Sequence, residues 1–175
     1  MIRFFGGRVM TLANGIETQD IEVWTEGSKI VFVGKPTAEE LDGKVFEREY
    51  DLKGNLLMPS FKNAHTHSAM TFLRSYADDM PLQDWLFKQI FPMEAKLDGE
   101  KVYWLTKLAI LEYLTTGCTA AFDMYFELDD YVKACIESGF RSVLCGAVSG
   151  DKSNLERLEN NYLKYNGKDP LISFM

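Results

Sequence analysis

The chain has 175 residues, of which 46% are hydrophobic and 26% charged, and its formal net charge is −7. This length is enough to bury a real core, and the composition is that of an ordinary soluble globular protein. The negative charge disfavours nucleic-acid binding, and no apolar run is long enough to span a membrane.

The amino terminus and the cysteines indicate a reducing compartment. No extended apolar segment follows Met1, so we predict no secretory signal. The chain has an odd number of cysteines, and they lack C-x-x-C spacing: Cys118, Cys135 and Cys145. This pattern argues against a disulfide scaffold. We therefore expect buried free thiols in a cytoplasmic protein.

Residues 1–55 have the pattern of short strands separated by turns. Four segments have strand character: 3–12, 21–24, 29–34 and 45–52. Asn14-Gly15 is a strong signal for a two-residue hairpin turn, and the polar stretch 37–44 is long enough for one helical turn. Several short strands with regular turns predict a small β-sandwich domain, and this region offers no catalytic chemistry.

From Leu56 onward the pattern changes to alternating strands and helices, which predicts a parallel sheet. We predict strands at 56–67, 119–125, 141–148 and 171–175. The connection after the first strand is long, and Pro81 begins a short amphipathic helix that reaches Ile90. Long loops at the carboxyl ends of strands are where barrel enzymes build their sites.

Three longer helices are predicted between these strands. Asp98 caps the first, and Gly117 ends it in a left-handed conformation. Its apolar side consists of Val102, Leu105, Leu108, Ala109 and Leu111. The second helix spans 128–138 before Gly139, and a capping box at 153–156 opens the third.

The chain contains two histidines, and they form a His-x-His motif at the end of the apolar run that begins at Leu56. Residues two apart in a strand point to the same face, so His65 and His67 would emerge side by side. Neutral imidazole is a preferred ligand of zinc and also suits iron, copper and nickel. Taken alone the motif is weak, because two polar residues at a strand–loop junction would look the same.

Longer segments around this motif resemble a known family. One segment resembles the first barrel strand of the amidohydrolase superfamily, namely Leu57-Met58-Pro59-Ser60-Phe61-Lys62-Asn63-Ala64-His65-Thr66-His67. The segments Tyr76–Leu86, Phe91–Leu97 and Val102–Trp104 resemble its deaminase and chlorohydrolase branch. That branch includes 5′-methylthioadenosine/S-adenosylhomocysteine deaminases, guanine deaminase and triazine hydrolases. The similarity extends over nearly the whole chain and is most specific from Leu56 to Tyr125.

The resemblance implies an α/β fold, in which a metal-dependent hydrolase barrel of the (β/α)₈ TIM type is preceded by a small β-sandwich domain. Residues 1–55 would form the amino-terminal part of the sandwich, and residues 56–175 would form the first strands and helices of the barrel. Such a barrel typically needs about 250 residues. We therefore expect the chain to be the amino-terminal portion of a longer protein.

The chemistry implied by the resemblance is metal-assisted hydrolysis at a ring carbon. His65 and His67 would hold a divalent metal, zinc or alternatively iron, which activates water for attack on an amidine-like carbon. The family's remaining elements are a third histidine, a His-x-x-Glu proton shuttle, another histidine and a late aspartate. The chain has no further histidine, so we expect no complete catalytic set here, weak metal binding and no activity in isolation.

Two further residues are candidates for substrate binding. Glu94 matches the family glutamate that accepts hydrogen bonds from substrate, commonly from ribose hydroxyls, although a solvated loop glutamate fits the sequence equally well. Trp85, with Phe87, could form an aromatic wall for a ring, although such residues are more often part of a core. Asp123 at the end of the second strand is better suited to an orienting hydrogen bond than to metal ligation.

One departure from the family bears on the substrate. The methylthioadenosine/S-adenosylhomocysteine branch usually carries an arginine after the third strand, where it meets a substrate carboxylate. The matching residue is Gly146, so a homocysteine-type carboxylate has no obvious partner. The deaminase class is unaffected by this difference.

The leading hypothesis is a metal-dependent amidohydrolase that deaminates a purine-like or other N-heterocyclic small molecule, without nucleic-acid or membrane partners. A triazine-type chlorohydrolase or aminohydrolase is the alternative within the enzymes. A second alternative is a non-catalytic fragment that is stable only as an oligomer or with a complementary carboxyl-terminal chain, because a half barrel leaves unpaired strand edges.

Overall fold

The structure is a computed structural model that describes residues 1–13, 15–147 and 152–175. The chain divides into two compact units, Met1–Pro59 and Ser60–Met175. Each unit has sheets of its own. No helix among the described residues has both the length and the apolar character needed to cross a bilayer.

The first unit consists of two sheets and one short helix. Its strands are β1 (Ile2–Phe5), β2 (Arg8–Thr11), β3 (Glu17–Gln19), β4 (Glu22–Glu26), β5 (Lys29–Gly34), β6 (Arg48–Asp51) and β7 (Leu56–Leu57), and its helix is α1 (Ala38–Leu41). One sheet has the order β5-β4-β1-β6 and the other β3-β2-β7. The predicted succession of short strands agrees with these elements. Asn14 of the predicted hairpin turn lies outside the described residues.

Local sequence explains two features of this unit. Gly6 separates β1 from β2 at φ +68°, and a Cβ there would lie 2.3 Å from an oxygen of Asp51, which together favour glycine. Helix α1 is one turn long and is held by a capping box. The Thr37 hydroxyl accepts from the Glu40 amide at 3.2 Å, and the Glu40 carboxylate accepts from the Thr37 amide at 2.8 Å.

The second unit is a parallel sheet whose strands alternate with helices. Its strands are β8 (Phe61–Thr66), β9 (Cys118–Met124), β10 (Arg141–Cys145) and β11 (Ile172–Phe174), in the order β11-β10-β9-β8. Every neighbouring pair is parallel. The three long helices are α4 (Gly99–Thr115), α5 (Leu128–Glu137) and α6 (Lys152–Tyr165). The predicted parallel α/β arrangement is therefore confirmed for this part of the chain.

The predicted first strand is divided between the two units. Residues 56–57 form β7, which pairs with β2, and β8 begins only at Phe61. Pro59 lies between them and has no backbone N–H to contribute to a ladder, which explains the interruption. His67 therefore follows the strand, because β8 ends at Thr66.

The segment between β8 and α4 is more irregular than the predicted single helix. It contains a 3₁₀ segment (Ser68–Leu73), α2 (Leu82–Asp84), a π-helical segment (Trp85–Ile90) and α3 (Phe91–Glu94). Pro92 lies in the first turn of α3 and cannot donate to a preceding carbonyl. The widened turns before it accommodate that missing donor.

Both ends of α4 agree with the predicted caps, but its buried side does not. The Asp98 carboxylate accepts from the Lys101 amide at 3.0 Å, and Gly117 has φ +81°. Its buried residues are Val102, Thr106, Ala109 and Ile110. The prediction placed Leu108 and Leu111 on this side, yet they are 45% and 59% exposed. The sequence carries apolar residues on two sides of α4, and only packing decides which side is covered.

The core of the second unit lies where α4 and α5 meet the sheet. Its buried cluster includes Val102, Ile110, Ala121, Tyr131, Cys135, Phe140, Leu144, Ile172 and Phe174. The three cysteines are free, as predicted, and two of them are buried while Cys145 is partly exposed. Strand β10 ends at Cys145, and Val148 of the predicted strand lies outside the described residues. The residues before α6 are likewise outside them, and the helix begins at Lys152, so Ser153 of the predicted capping box lies inside it.

Candidate metal and substrate site

The two histidine rings lie next to each other at the carboxyl end of β8. Their ring centroids are 5.1 Å apart and their planes are inclined by 82°. His65 is the exposed residue of the pair and His67 is partly buried. Because a zinc–nitrogen bond is about 2.0–2.1 Å long, two imidazoles at this separation can face one ion.

The orientation of His67 is fixed by a main-chain atom of the neighbouring strand. Its Nδ1 donates to the carbonyl oxygen of Met124 at 2.8 Å. In a neutral imidazole this hydrogen bond leaves the lone pair on Nε2, which is the atom free to bind a metal. Parallel pairing of β8 with β9, in which Thr66 is opposite Asp123, brings this carbonyl to the ring.

A buried carboxylate holds the chain that follows His67. Asp123 is 1% exposed and accepts a hydrogen bond from the backbone amide of Ser68 at 3.2 Å and another from the Ser68 hydroxyl. Burial raises the pKa of Asp123, while the Ser68 hydroxyl opposes that rise. Asp123 therefore has the orienting role that its position at the strand end suggested.

A tyrosine from α4 completes this support. The hydroxyl of Tyr113 lies 2.5 Å from the Thr66 hydroxyl and 3.0 Å from the Ser68 hydroxyl. It therefore links the residues on either side of His67 to a helix of the core. Burial also raises the pKa of Tyr113, so the phenol is neutral and available as a donor.

The histidines fit a metal by the chemistry of their donors, but they are only part of a ligand set. Within the ranges that the structure describes, no group of three or more histidine, cysteine, aspartate or glutamate residues could hold an ion. A catalytic zinc site has three protein ligands and an open position. Two adjacent imidazoles are therefore fewer ligands than such a site requires.

A cavity of about 880 Å³ opens beside His67. Trp85, Glu94 and Tyr125 also line it, so three of the four predicted site residues border one space. Phe87 does not share this position: it is 63% exposed and its ring meets Phe91 edge-on at 5.3 Å. The volume falls in the range of small-molecule sites.

Glu94 is partly buried in the cavity wall, at the end of α3. Desolvation raises its pKa, whereas the Tyr125 hydroxyl and the charge of His67 oppose that rise. A carboxylate shielded from water in this way binds hydroxyl donors more strongly than an exposed one. The solvated-loop alternative for Glu94 does not describe this position.

Gly146 lies beside the same cavity, and the structure shows what occupies the space of its missing side chain. A Cβ at this position would be 2.6 Å from a methyl carbon of Leu158 in α6. Leu158 thus packs against the point where a side chain at residue 146 would begin. The cationic residues on the cavity wall come instead from α6, namely Arg157 and Lys164, and Lys164 pairs with Asp129 at 2.7 Å.

Three contributors to the site were not predicted from the sequence. In the sequence, Tyr113 and Tyr125 resemble ordinary core aromatic residues. Tyr125, however, directly follows β9, the strand that carries Asp123. The Met124 carbonyl belongs to the backbone, so the amino-acid type at position 124 does not indicate its role. The position of Tyr125 after a strand of a parallel sheet is the one signal that could have identified it.

The second unit is thus a parallel α/β sheet with two adjacent histidines at the carboxyl end of β8. The model of the amidohydrolase family matches residues 56–168, and the chain belongs to that family.

Two curated relatives are deaminases by name. The 5-methylthioadenosine/S-adenosylhomocysteine deaminase of Desulfitobacterium hafniense is 42% identical over 136 residues, which cover 78% of this chain and 31% of the relative. The 5'-deoxyadenosine deaminase of Methanospirillum hungatei is 52% identical over 108 residues, which cover 61% of this chain and 24% of the relative. The chain thus spans about a third or less of the length of these relatives.

A solved structure is similar over almost the whole chain. It is an adenosine deaminase from Xanthomonas campestris with bound zinc, which superimposes with a TM-score of 0.86 at 31% identity. The match covers 99% of this chain and 41% of that protein. Both units therefore have counterparts in a known metal hydrolase.

Proposed function

We propose that this chain is the amino-terminal part of a metal-dependent amidohydrolase that deaminates a purine-like or other N-heterocyclic small molecule. The observation that carries the proposal is the shared cavity, in which His67, held by the Met124 carbonyl, faces the same space as Glu94 and Trp85. The names of the deaminase relatives support the same class of reaction.

The metal would be held here by His65 and His67; zinc is present in the similar adenosine deaminase, and iron also suits imidazole ligands. When bound, a divalent ion lowers the pKa of water and polarises the group under attack. The remaining ligands and the proton shuttle would come from a longer protein of which these residues are a part. In that protein, residues 1–59 would belong to a small β-sandwich domain and residues 60–175 to a (β/α)₈ barrel.

The chain's own residues have distinct tasks in this proposal. Asp123 and Tyr113 fix the turn that carries His67, and the Met124 carbonyl selects the tautomer that leaves Nε2 free. Glu94 accepts hydrogen bonds from substrate hydroxyls, and the Trp85 ring packs against the heterocycle. The apolar side chains of the cavity wall exclude water from the polar contacts and thereby strengthen them.

Metal binding is tested by substitution of the two histidines. We expect His65→Ala and His67→Ala each to lower the zinc content of the purified protein, measured by plasma mass spectrometry after equilibration with zinc. Lys62→Ala, an exposed change in the same strand, is the matched control and should retain the metal. Unchanged zinc content in both histidine variants would contradict the assignment of the ligands.

The reaction is tested on the full-length protein that contains this chain. Ammonia release should be observed with at least one of adenosine, 5′-modified adenosines and guanine, and chloride release from chlorinated triazines should be absent. Release of chloride or an alkylamine from a triazine, without ammonia from any purine, would replace the deaminase with the triazine-type alternative.

A further inference from the structure

Beyond its effect on the pKa of Glu94, the hydroxyl group of Tyr125 has no assigned role in the site. It is buried and has no hydrogen bond to any described residue. Tyr125 follows β9 directly and lines the same cavity as Glu94. A buried phenol without a partner is destabilising, and such groups occur where a ligand or a moving neighbour completes the bond.

The ring that carries this hydroxyl is held in place by its neighbour. Tyr125 stacks on Phe126 with ring centroids 4.4 Å apart and planes inclined by 19°. The phenol oxygen therefore cannot turn out to water without breaking an aromatic contact. Its direction in the cavity wall is set before any ligand arrives.

Tyr125 and Glu94 line the same cavity and influence each other's pKa. Burial, followed by the negative charge of Glu94, raises the pKa of Tyr125 well above its ordinary value, so the phenol remains a donor. In turn the Tyr125 hydroxyl lowers the pKa of Glu94 against the effect of burial. The two groups thus interact electrostatically, although they do not meet in hydrogen-bonding geometry.

We propose that Tyr125 is a positioning residue for Glu94, and that its hydroxyl donates to that carboxylate when a polyhydroxylated ligand such as a nucleoside fills the cavity. The inference rests on the proposed function. A carboxylate has about four acceptor sites, so one bond from Tyr125 leaves enough for two adjacent substrate hydroxyls. The phenol would fix the carboxylate in the orientation that accepts both hydroxyls.

The test compares two ligands that differ only in those hydroxyls. In the full-length protein we expect Tyr125→Phe to raise KM for adenosine roughly tenfold and to leave kcat nearly unchanged, because the hydrogen bond acts in binding. The same variant should show no increase in KM for 2′,3′-dideoxyadenosine. The matched control is Tyr162→Phe, which removes the hydroxyl of a tyrosine on α6 that is 48% exposed. This variant should have the parent's KM for both nucleosides.

Combination with Glu94→Gln separates this role from a structural one. If Tyr125 acts through Glu94, the double variant should be no worse with adenosine than Glu94→Gln alone. Equal increases in KM for adenosine and dideoxyadenosine would overturn the inference while the deaminase function stands. Additive increases in KM in the double variant would do the same. Absence of ammonia from every purine with the parent enzyme would instead remove the proposed function and the inference with it.

A spectroscopic readout covers the case in which Tyr125→Phe does not fold. With ring-labelled tyrosine in the parent protein, the ζ-carbon resonance of Tyr125 should shift on addition of adenosine and stay unshifted with dideoxyadenosine. An identical shift with both ligands would contradict the proposal.

Discussion

The carboxylate of Asp123 is the acceptor on which the turn after His67 depends. It accepts from the amide and the hydroxyl of Ser68 in a buried setting. We expect Asp123→Ala to lower the free energy of unfolding by about 1–3 kcal/mol, because it leaves buried donors without an acceptor. Urea denaturation followed by circular dichroism measures the change. Asp20→Ala, an exposed substitution, is the control, and equal stability of the two variants would contradict the role of Asp123.

A second residue-level prediction concerns pH and the first unit. The Arg3 guanidinium donates to both oxygens of Glu22, at 2.6 and 2.7 Å, and these bonds hold the pKa of Glu22 below its ordinary value of 4.5. A lowered carboxyl pKa stabilises the fold above pH 4.5, and this contribution is lost as the pH falls through the folded-state pKa.

We therefore expect Glu22→Gln to destabilise the chain by about 1 kcal/mol at pH 7, since the pair is partly reached by solvent. The difference from the parent should shrink as the pH falls below 4.5. Urea unfolding across that pH range provides the measurement, with Glu26→Gln at the exposed end of β4 as the control. A difference that grows in acid would show that the sign of the linkage is wrong.

Among the elements, helix α6 controls the far side of the cavity. Leu158 occupies the space beside Gly146, and a side chain at 146 requires that Leu158 move. Residue 146 supplies no guanidinium for a carboxylate tail, and the cationic residues on the cavity wall, Arg157 and Lys164, come from α6. The space beside residue 146 is therefore set jointly by Gly146, which follows β10, and Leu158 of α6.

We expect the double variant Gly146→Arg/Leu158→Ala to raise kcat/KM for S-adenosylhomocysteine relative to adenosine by roughly tenfold, because a guanidinium binds a carboxylate with charge-assisted hydrogen bonds. Ammonia release from the two substrates gives the ratio. Gly146→Met/Leu158→Ala fills similar space without charge and should leave the ratio unchanged. If the methionine variant raised the ratio of the two kcat/KM values as much as the arginine variant, the effect would be due to shape alone.

The helices also show where sequence periodicity stops being informative. The ends of α4 were predictable, because Asp98 and Gly117 have local chemistry that needs no tertiary context. Its buried side was not, since Leu108 and Leu111 are as apolar as the residues that the core covers. The π-helical segment before Pro92 was equally hidden, because the same residues suit an ordinary helix.

At the scale of the whole molecule, the parallel sheet ends in two edge strands, β8 and β11. Within the described chain, β8 pairs only with β9, and β11 pairs only with β10. Unpaired edges expose backbone donors and acceptors to any other strand. We expect the 175-residue chain to associate with increasing concentration, as light scattering would show.

The edge strand offers a direct test of that association. Phe61 is 61% exposed in β8, and Phe61→Lys should weaken association because a charge at an edge opposes pairing. Ile16→Lys, at a position 80% exposed outside the named strands, changes the net charge equally and should have little effect. A chain that stays monomeric at high concentration would rule out association through the edges.

The order of strands and helices was largely predictable, and so was the adjacency of the histidines, because His-x-His after an apolar run constrains both side chains at once. The tyrosine contacts of the site were not, since they join residues about 30 to 50 positions apart in sequence, and a single sequence holds no record of such pairings. Glu94 was proposed through family resemblance and Trp85 as an aromatic residue suited to a ring pocket, and no periodicity would have assigned them to one cavity.

The bond from His67 to the Met124 carbonyl has an evolutionary implication. A peptide oxygen persists whatever residue occupies position 124, so mutation can exchange that side chain freely without releasing the imidazole. Slippage of one strand past its neighbour would release it, even with every amino acid retained. Selection at this point should therefore act on alignment between strands and leave the identity of residue 124 free to drift.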